Sequence, residues 1–184
     1  MDCRNYGGPD GIPEARRLLG HMLGTHTANT IVGGNSSLEL MFLLVSHGMT
    51  DGICGAAPWS LVEHRKFLCP APGYDRHFAI TEHFGFELIP IAMHVDGPDM
   101  DAVEAYAADP TVKGIWCVPK YQNPTGVIFS DAAIRRFAAL RPAAEDFRIF
   151  WDNAYCIHDF GADTRKIPDL LTLCEAAGNP DLVY

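Results

Sequence analysis

The chain has 184 residues, of which 48% are hydrophobic and 20% charged, a composition typical of a globular protein long enough to bury a core. Its formal net charge is -9 and its lysines and arginines are scattered, which argues against nonspecific binding of nucleic acid. The six cysteines form no C-x-x-C pair, and no apolar run approaches the length of a membrane span. We therefore expect a cytoplasmic protein with reduced thiols.

Helix-like and strand-like segments alternate along the sequence. Apolar residues recur at helical spacing in segments that we predict as helices: 11–24, 36–47, 76–84, 100–109, 131–140 and 167–178. Short apolar runs typical of buried strands separate them: 30–34, 65–70, 86–93, 113–119, 148–152, and a last strand that begins in 181–184. Capping side chains precede some of these helices, at Ser36, at Asp99 or Asp101, and at Ser130.

This alternation predicts an α/β fold in which a mostly parallel sheet is flanked by helices in three layers. In such sheets, ligands bind beyond the carboxyl ends of the strands. The polar residues that directly follow each predicted strand are therefore the candidates for a functional site.

Polar or aromatic residues follow several of the predicted strands. The stretch GGNSS (33–37) opens a helix and fits either an anion site at the helix start or a tight turn with an ordinary cap. Tyr74 fits a platform for an aromatic ligand or a surface residue of a turn. Asn123 lies in NPTG, which is a turn signature that also offers a side-chain donor.

Asp152 ends the apolar run RIFW, where an ionised carboxylate is costly without a partner. It fits a helix cap, a surface charge or the partner of a buried cation. A ring nitrogen that stays protonated beside the carboxylate is one such cation.

The order of these motifs resembles the fold-type-I pyridoxal-phosphate-dependent aminotransferases, the aspartate aminotransferase superfamily. The resemblance covers nearly the whole chain and includes the opening pattern of Tyr6, Gly11 and Arg16. The strings CPAPGYDRHF and WDNAY are similar to one bacterial class I subgroup. The resemblance implies pyridoxal 5'-phosphate as cofactor and a truncated large domain of the pyridoxal-phosphate transferase fold.

The resemblance also implies roles for individual residues. Tyr74 would stack on the pyridine ring, Asp152 would pair with the protonated ring nitrogen, and Asn123 and Tyr155 would hydrogen-bond the phenolic oxygen. The cofactor phosphate would be held at the helix start and by a neighbouring subunit, which implies a homodimer. The phosphate ligands so implied are Gly34, Asn35, Ser36 and, from the neighbouring subunit, Tyr6.

No catalytic residue is identified, because the family's catalytic lysine follows a serine-rich turn and is expected beyond Tyr184. The lysines of the chain are Lys66, Lys113, Lys120 and Lys166. Lys120 is expected to be a solvated lysine at a strand end. Residues 1–184 are then a partial large domain without the N-terminal arm, the lysine segment or the small C-terminal domain, and we expect it to be inactive alone.

The resemblance implies transamination between an amino acid, aspartate or a similar one, and a 2-oxo acid such as 2-oxoglutarate. The alternatives are a β-lyase or decarboxylase on the same fold, or the aminotransferase-like effector domain of a transcription regulator. No metal site is expected, because the eight histidines show neither H-E-x-x-H nor clustered spacing. His77 and His158 lie near the site motifs, and we expect structural or supporting roles for them.

Overall fold

A five-stranded sheet lies at the centre of the computed structural model, which describes residues 8–159, 161 and 164–184. The strands are β1 (Lys66–Ala71), β2 (Glu87–His94), β3 (Gly97–Pro98), β4 (Val112–Cys117) and β5 (Arg148–Trp151). Their order across the sheet is β3-β2-β1-β4-β5. The pairs β1–β2, β1–β4 and β4–β5 are parallel, and only the short β3 is antiparallel to its neighbour.

Helices connect the parallel strands and cover the sheet. They are α1 (Pro13–Leu23), α2 (Ser37–Thr50), α3 (Asp75–His83), α4 (Met100–Ala107), α5 (Asp131–Ala139) and α6 (Leu170–Ala176). Side-chain caps fix several helix starts: Asp99 rather than Asp101 caps α4, and Ser130 caps α5 as predicted. None of the helices in the described part of the chain is long and apolar enough to cross a membrane.

Two apolar cores, one on each face of the sheet, confirm the predicted three-layer architecture. Alternate residues of β4 point to opposite faces, so Ile115 packs with α4, α5 and α6 while Trp116 packs with α2 and α3. Both residues are fully buried, as expected for a central parallel strand. The α/β fold with a mostly parallel sheet is therefore confirmed.

The prediction of a strand over 30–34 is wrong. The segment is not part of the sheet, and the Ile31 side chain is 72% exposed. A strand needs a neighbouring strand to complete its ladder of hydrogen bonds, whereas the Val32 N–H donates to the carbonyl of the loop residue Asp10. Arg16 of α1 holds the first residue of the segment, because its Nε–H donates to the Thr30 carbonyl at 2.7 Å.

The prediction of a strand start in 181–184 is confirmed in a short form. Val183 forms a parallel bridge with Ile149 of β5. The Tyr184 N–H donates to the Ile149 carbonyl, and the Trp151 N–H donates to the Tyr184 carbonyl, both at 2.9 Å.

Candidate active site

A cavity of about 190 Å³ lies at the carboxyl ends of β1, β4 and β5. The side chains that line it come from the helix start of α2 and from the loops after these strands: Ser37, Tyr74, Val118, Asn123, Asp152, Ala154 and Tyr155. Four of them, Tyr74, Asn123, Asp152 and Tyr155, are site residues predicted from the sequence. The structure brings these four together.

Parallel pairing explains why residues so far apart in sequence meet here. β1 and β4 are neighbours, and so are β4 and β5, so the loops after their carboxyl ends lie side by side. Tyr74 follows β1, Asn123 follows β4 and Asp152 follows β5. The Asp152 N–H donates to the carbonyl of Cys117, the last residue of β4, at 2.8 Å. This bond continues the pairing of β4 and β5 to the edge of the cavity.

Asp152 has a protein partner in addition to its place on the cavity. Nε2 of His77 lies 3.0 Å from Oδ2 of Asp152. Since an ionised carboxylate only accepts hydrogen bonds, the Nε2–H of His77 donates this one. The His77 side chain is 1% exposed and that of Asp152 is 11% exposed. The contact gives His77 a structural role beside Asp152, a partner that the sequence pattern did not identify.

Aromatic rings hold the His77 imidazole in place. It stacks on Trp116 with ring centroids 4.8 Å apart and an interplanar angle of 19°. Tyr74 meets it edge to face at 5.0 Å. Because His77 is packed between these rings, its hydrogen bond fixes the direction of the Asp152 carboxylate.

The start of α2 differs in detail from the sequence prediction. Ser36 is the N-cap, and its hydroxyl accepts a hydrogen bond from the Glu39 N–H at 3.3 Å. The next residue, Ser37, lines the cavity. Both serines lie in GGNSS, but the sequence prediction named only Ser36, as the helix cap and as an implied phosphate ligand. Gly34 and Asn35 lie in the exposed turn just before the cap.

Gly33 in the same turn lies against the side chain of Leu40. A Cβ atom there would lie 2.4 Å from Cδ2 of Leu40, a side chain on the first turns of α2. The chain therefore passes close over the start of α2. Ser37, the first residue of α2, lines the cavity, and the free N–H groups of a helix start favour an anion.

Gln122 joins the loop after β4 to the loop after β1. Its side chain is buried, its Nε2 donates to the Pro72 carbonyl at 2.8 Å, and its Oε1 accepts from the Thr125 N–H at 3.1 Å. Pro72 lies two residues before Tyr74, and Asn123 follows Gln122 directly. The amide therefore sets the spacing between the two loops that carry Tyr74 and Asn123.

The expectation that Lys120 is solvated is wrong. Its side chain is 2% exposed, and Nζ lies 2.6 Å from Oδ1 of Asp159 and 3.0 Å from the Cys156 carbonyl oxygen. Burial of an ammonium group is compensated by these acceptors. Lys120 lines a second cavity, of about 420 Å³, and is not among the described residues that line the first one.

The remaining predicted ligand, Tyr6, lies outside the described residues. Within residues 8–159, 161 and 164–184, no three His, Cys, Asp or Glu side chains gather as a group that could hold a metal ion. His158 stands on the surface and meets the Tyr155 ring edge to face at 5.6 Å.

The groups around the cavity suit a flat, protonatable ring that carries an anionic substituent. Tyr74 offers an aromatic surface, Asp152 a carboxylate for a ring N–H, and Asn123 and Tyr155 donors for a ring oxygen. The helix start beside Ser37 favours the anionic substituent. The arrangement therefore fits the kind of cofactor that the motif order implies.

Comparison with known proteins gives consistent matches over the whole chain. The family described as "Aspartate amino-transferase" matches residues 1–184. An aspartate aminotransferase of Corynebacterium glutamicum is 46% identical over 184 residues, which are 98% of this chain and 42% of that protein. A Mycolicibacterium smegmatis protein with a provisional name as an aminotransferase is 50% identical over 182 residues, again 98% of this chain and 42% of its own length.

A solved structure agrees with these matches. The crystal structure of an aspartate transaminase from Corynebacterium glutamicum superposes with a TM-score of 0.95 at 46% identity, and the match covers 100% of this chain and 43% of that one. The chain thus spans less than half the length of the relatives that it matches.

Proposed function

The chain belongs to the aspartate aminotransferase family, and we propose that it forms the cofactor-binding part of an enzyme that transfers an amino group from an amino acid to a 2-oxo acid. The observation that carries the proposal is the convergence of Tyr74, Asn123, Asp152 and Tyr155 on one cavity. Their chemistry matches a pyridoxal 5'-phosphate ring.

The proposed placement of the cofactor follows from the chemistry of each wall. Tyr74 stacks on the ring, Asp152 faces the ring nitrogen, and Asn123 and Tyr155 donate to the phenolic oxygen. The phosphate lies at the start of α2, where Gly34, Asn35 and Ser36 were expected to hold it. To this set we add Ser37, since it is the serine that lines the cavity.

When bound, the cofactor supplies an electron-withdrawing ring that stabilises negative charge on the substrate. Asp152 holds a proton on the ring nitrogen, because a negative neighbour within hydrogen-bond reach favours the charged form of that nitrogen. His77 keeps the carboxylate aimed at this atom. Tyr74 covers one face of the ring and excludes water from it.

We further propose that residues 1–184 form part of the large domain of a longer enzyme, since they span less than half the length of the relatives. The catalytic lysine then follows Tyr184, and the isolated chain is inactive. Aspartate or a similar amino acid is the proposed donor and 2-oxoglutarate the proposed acceptor. The name of the Corynebacterium glutamicum relative supports the donor. The intact enzyme is proposed to be a cytoplasmic homodimer in which Tyr6 reaches the partner's phosphate site.

The Asp152→Ala variant tests the proposed cofactor site. Binding is measured by titrating the 184-residue chain with pyridoxal 5'-phosphate and recording the quenching of its tryptophan fluorescence. The wild-type chain should bind the cofactor saturably. Asp152→Ala should weaken it about 100-fold, or roughly 2.7 kcal/mol, since the ring nitrogen loses its carboxylate. Asp181→Ala, which changes an exposed aspartate at the other end of the sheet, is the matched control and should bind normally. Wild-type affinity in Asp152→Ala would refute the assignment.

A second assay tests the inactivity of the isolated chain. With aspartate, 2-oxoglutarate and cofactor supplied, turnover should not exceed that of the cofactor alone. Borohydride reduction followed by peptide mass mapping should find no cofactor attached to Lys66, Lys113, Lys120 or Lys166. Turnover above the control, or attachment to one of these lysines, would contradict this part of the proposal.

A further inference from the structure

The segment 153–159 carries Tyr155 into the active-site cavity but contains neither helix nor strand. Its own backbone bonds are local: the Cys156 N–H donates to the Asn153 carbonyl, and the His158 N–H to the Tyr155 carbonyl, both at 3.1 Å. Such turns alone do not fix a segment relative to the sheet, because they join residues of the same segment. Contacts with the rest of the fold must supply that restraint.

Lys120 supplies contacts of this kind from the neighbouring strand end. Its Nζ lies 2.6 Å from the Asp159 carboxylate and 3.0 Å from the Cys156 carbonyl oxygen, so it binds the far half of the segment twice. The hydroxyl of the adjacent Tyr121 donates to the same oxygen of Asp159 at 3.0 Å. These bonds connect the loop after β4 with the loop after β5.

The Asp159 carboxylate is ionised at neutral pH. The hydrogen bond from the Lys120 ammonium lowers the pKa of Asp159 below its usual value, and the hydroxyl of Tyr121 adds to this effect. With Lys120 2% exposed, water screens the pair less than it screens a surface ion pair. The restraint is therefore electrostatic as well as geometric.

Lys120 contacts the segment from the side opposite to the active-site cavity. It lines the second cavity together with Asn153, Cys156 and Asp159, whereas Asp152, Ala154 and Tyr155 line the first. The segment thus separates the two cavities, with Lys120 on one side and the proposed cofactor position on the other.

We propose that Lys120 is a positioning residue: its ion pair with Asp159 holds segment 153–159 so that Tyr155 and Asp152 keep their places on the cofactor cavity. The inference rests on the proposed function for its ligand, but its structural part concerns the chain alone. It assigns no covalent role to Lys120, whose Nζ is occupied by two acceptors away from the cavity.

The test combines amide hydrogen exchange with cofactor titration of the 184-residue chain. In Lys120→Met, segment 153–159 should exchange about tenfold faster. The dissociation constant for pyridoxal 5'-phosphate should rise about tenfold, a usual effect of losing a group that orients a ligand. Lys120→Arg keeps the charge and should recover part of both effects. The matched control is Lys166→Met, which removes an exposed lysine from the same second cavity and should change neither.

Normal exchange and normal affinity in a folded Lys120→Met would overturn the inference, and so would cofactor attached covalently to Lys120. If Lys120→Met does not fold, Asp159→Asn decides, because it removes the partner charge from a more exposed position. Unchanged exchange of the segment in Asp159→Asn would then refute the positioning role. If the wild-type chain binds no cofactor, the proposed function fails, while the exchange result still decides whether Lys120 holds the segment.

Discussion

Two buried lysines lie near the two ends of β4, and their surroundings differ. At the amino end, Nζ of Lys113 lies 2.7 Å from Asp146, whose other oxygen accepts from the Trp59 indole N–H at 2.9 Å. All three side chains are buried. Beyond the carboxyl end, Lys120 pairs with Asp159, whose side chain is 23% exposed, and stands between two cavities.

The two ends of the sheet therefore use charge differently. At the amino end, donor and acceptor satisfy each other inside the protein, which is how buried polar groups are stabilised in a fold. At the carboxyl end, Asn123, Asp152 and Tyr155 are left facing a cavity. Polar groups that converge on a cavity are available to a ligand. The amino end of β4 thus holds a closed network of buried charges, whereas beyond its carboxyl end an ion pair stands beside groups that face a cavity.

The largest effect is expected at the amino end. Asp146→Ala leaves the Lys113 ammonium buried without its counter-charge and the Trp59 N–H without its acceptor. The free energy of unfolding should fall by about 3–5 kcal/mol, as measured by urea denaturation. The affinity of the remaining folded protein for pyridoxal 5'-phosphate should stay the same, because this network lies at the opposite end of β4.

The matched variant removes both charges. Lys113→Met combined with Asp146→Leu should recover most of the lost stability, since well-packed apolar residues often replace a buried ion pair at little cost. A double variant as unstable as Asp146→Ala would show that the ion pair itself stabilises the amino end. Weakened cofactor affinity in either variant would show that the network at the amino end also affects the cofactor cavity.

A smaller effect is expected from His77 at the carboxyl end. His77→Phe keeps a ring between Trp116 and Tyr74 but removes the N–H that directs Asp152. The dissociation constant for pyridoxal 5'-phosphate should rise about tenfold, or roughly 1.4 kcal/mol. His158→Phe, at an exposed position beside Tyr155, is the control and should bind normally. Equal affinities in the two variants would show that Asp152 does not depend on His77.

Features set by neighbouring residues could be predicted from the sequence, whereas contacts between distant segments could not. The helix caps at Ser36 and Ser130 and the strand-end positions of Tyr74, Asn123 and Asp152 follow from local patterns, because caps and strand ends are set by neighbouring residues. The burial of Lys120 depends on Asp159, and the role of His77 depends on Asp152. Both are contacts between distant segments that no local pattern contains.

The prediction of a strand at 30–34 failed for the same reason, because it also depends on contacts with a distant segment. TIV has the composition of a strand, but a strand also needs a partner, and the described residues place no strand beside it. The exact position of Ser37 on the cavity was missed for a related reason. A shift of one residue at a helix start changes the direction of a side chain by about 100°. Helix boundaries are defined only to within one or two residues, so the sequence does not determine which serine faces the cavity.

The smallest expected effect separates the two serines at the start of α2. Ser36→Ala removes the N-cap and should lower the free energy of unfolding by about 1 kcal/mol in thermal or urea denaturation. Cofactor affinity should change little, because the hydroxyl is already bonded to the Glu39 N–H and the variant keeps the backbone N–H through which Ser36 would hold the phosphate. Ser37→Ala should do the reverse: stability should hold, and the affinity for pyridoxal 5'-phosphate should fall a few-fold, since its side chain faces the cavity. Because the variants are adjacent and chemically identical, each is the control for the other. Weaker binding in Ser36→Ala and normal binding in Ser37→Ala would show that the hydroxyl of Ser36, rather than that of Ser37, binds the phosphate.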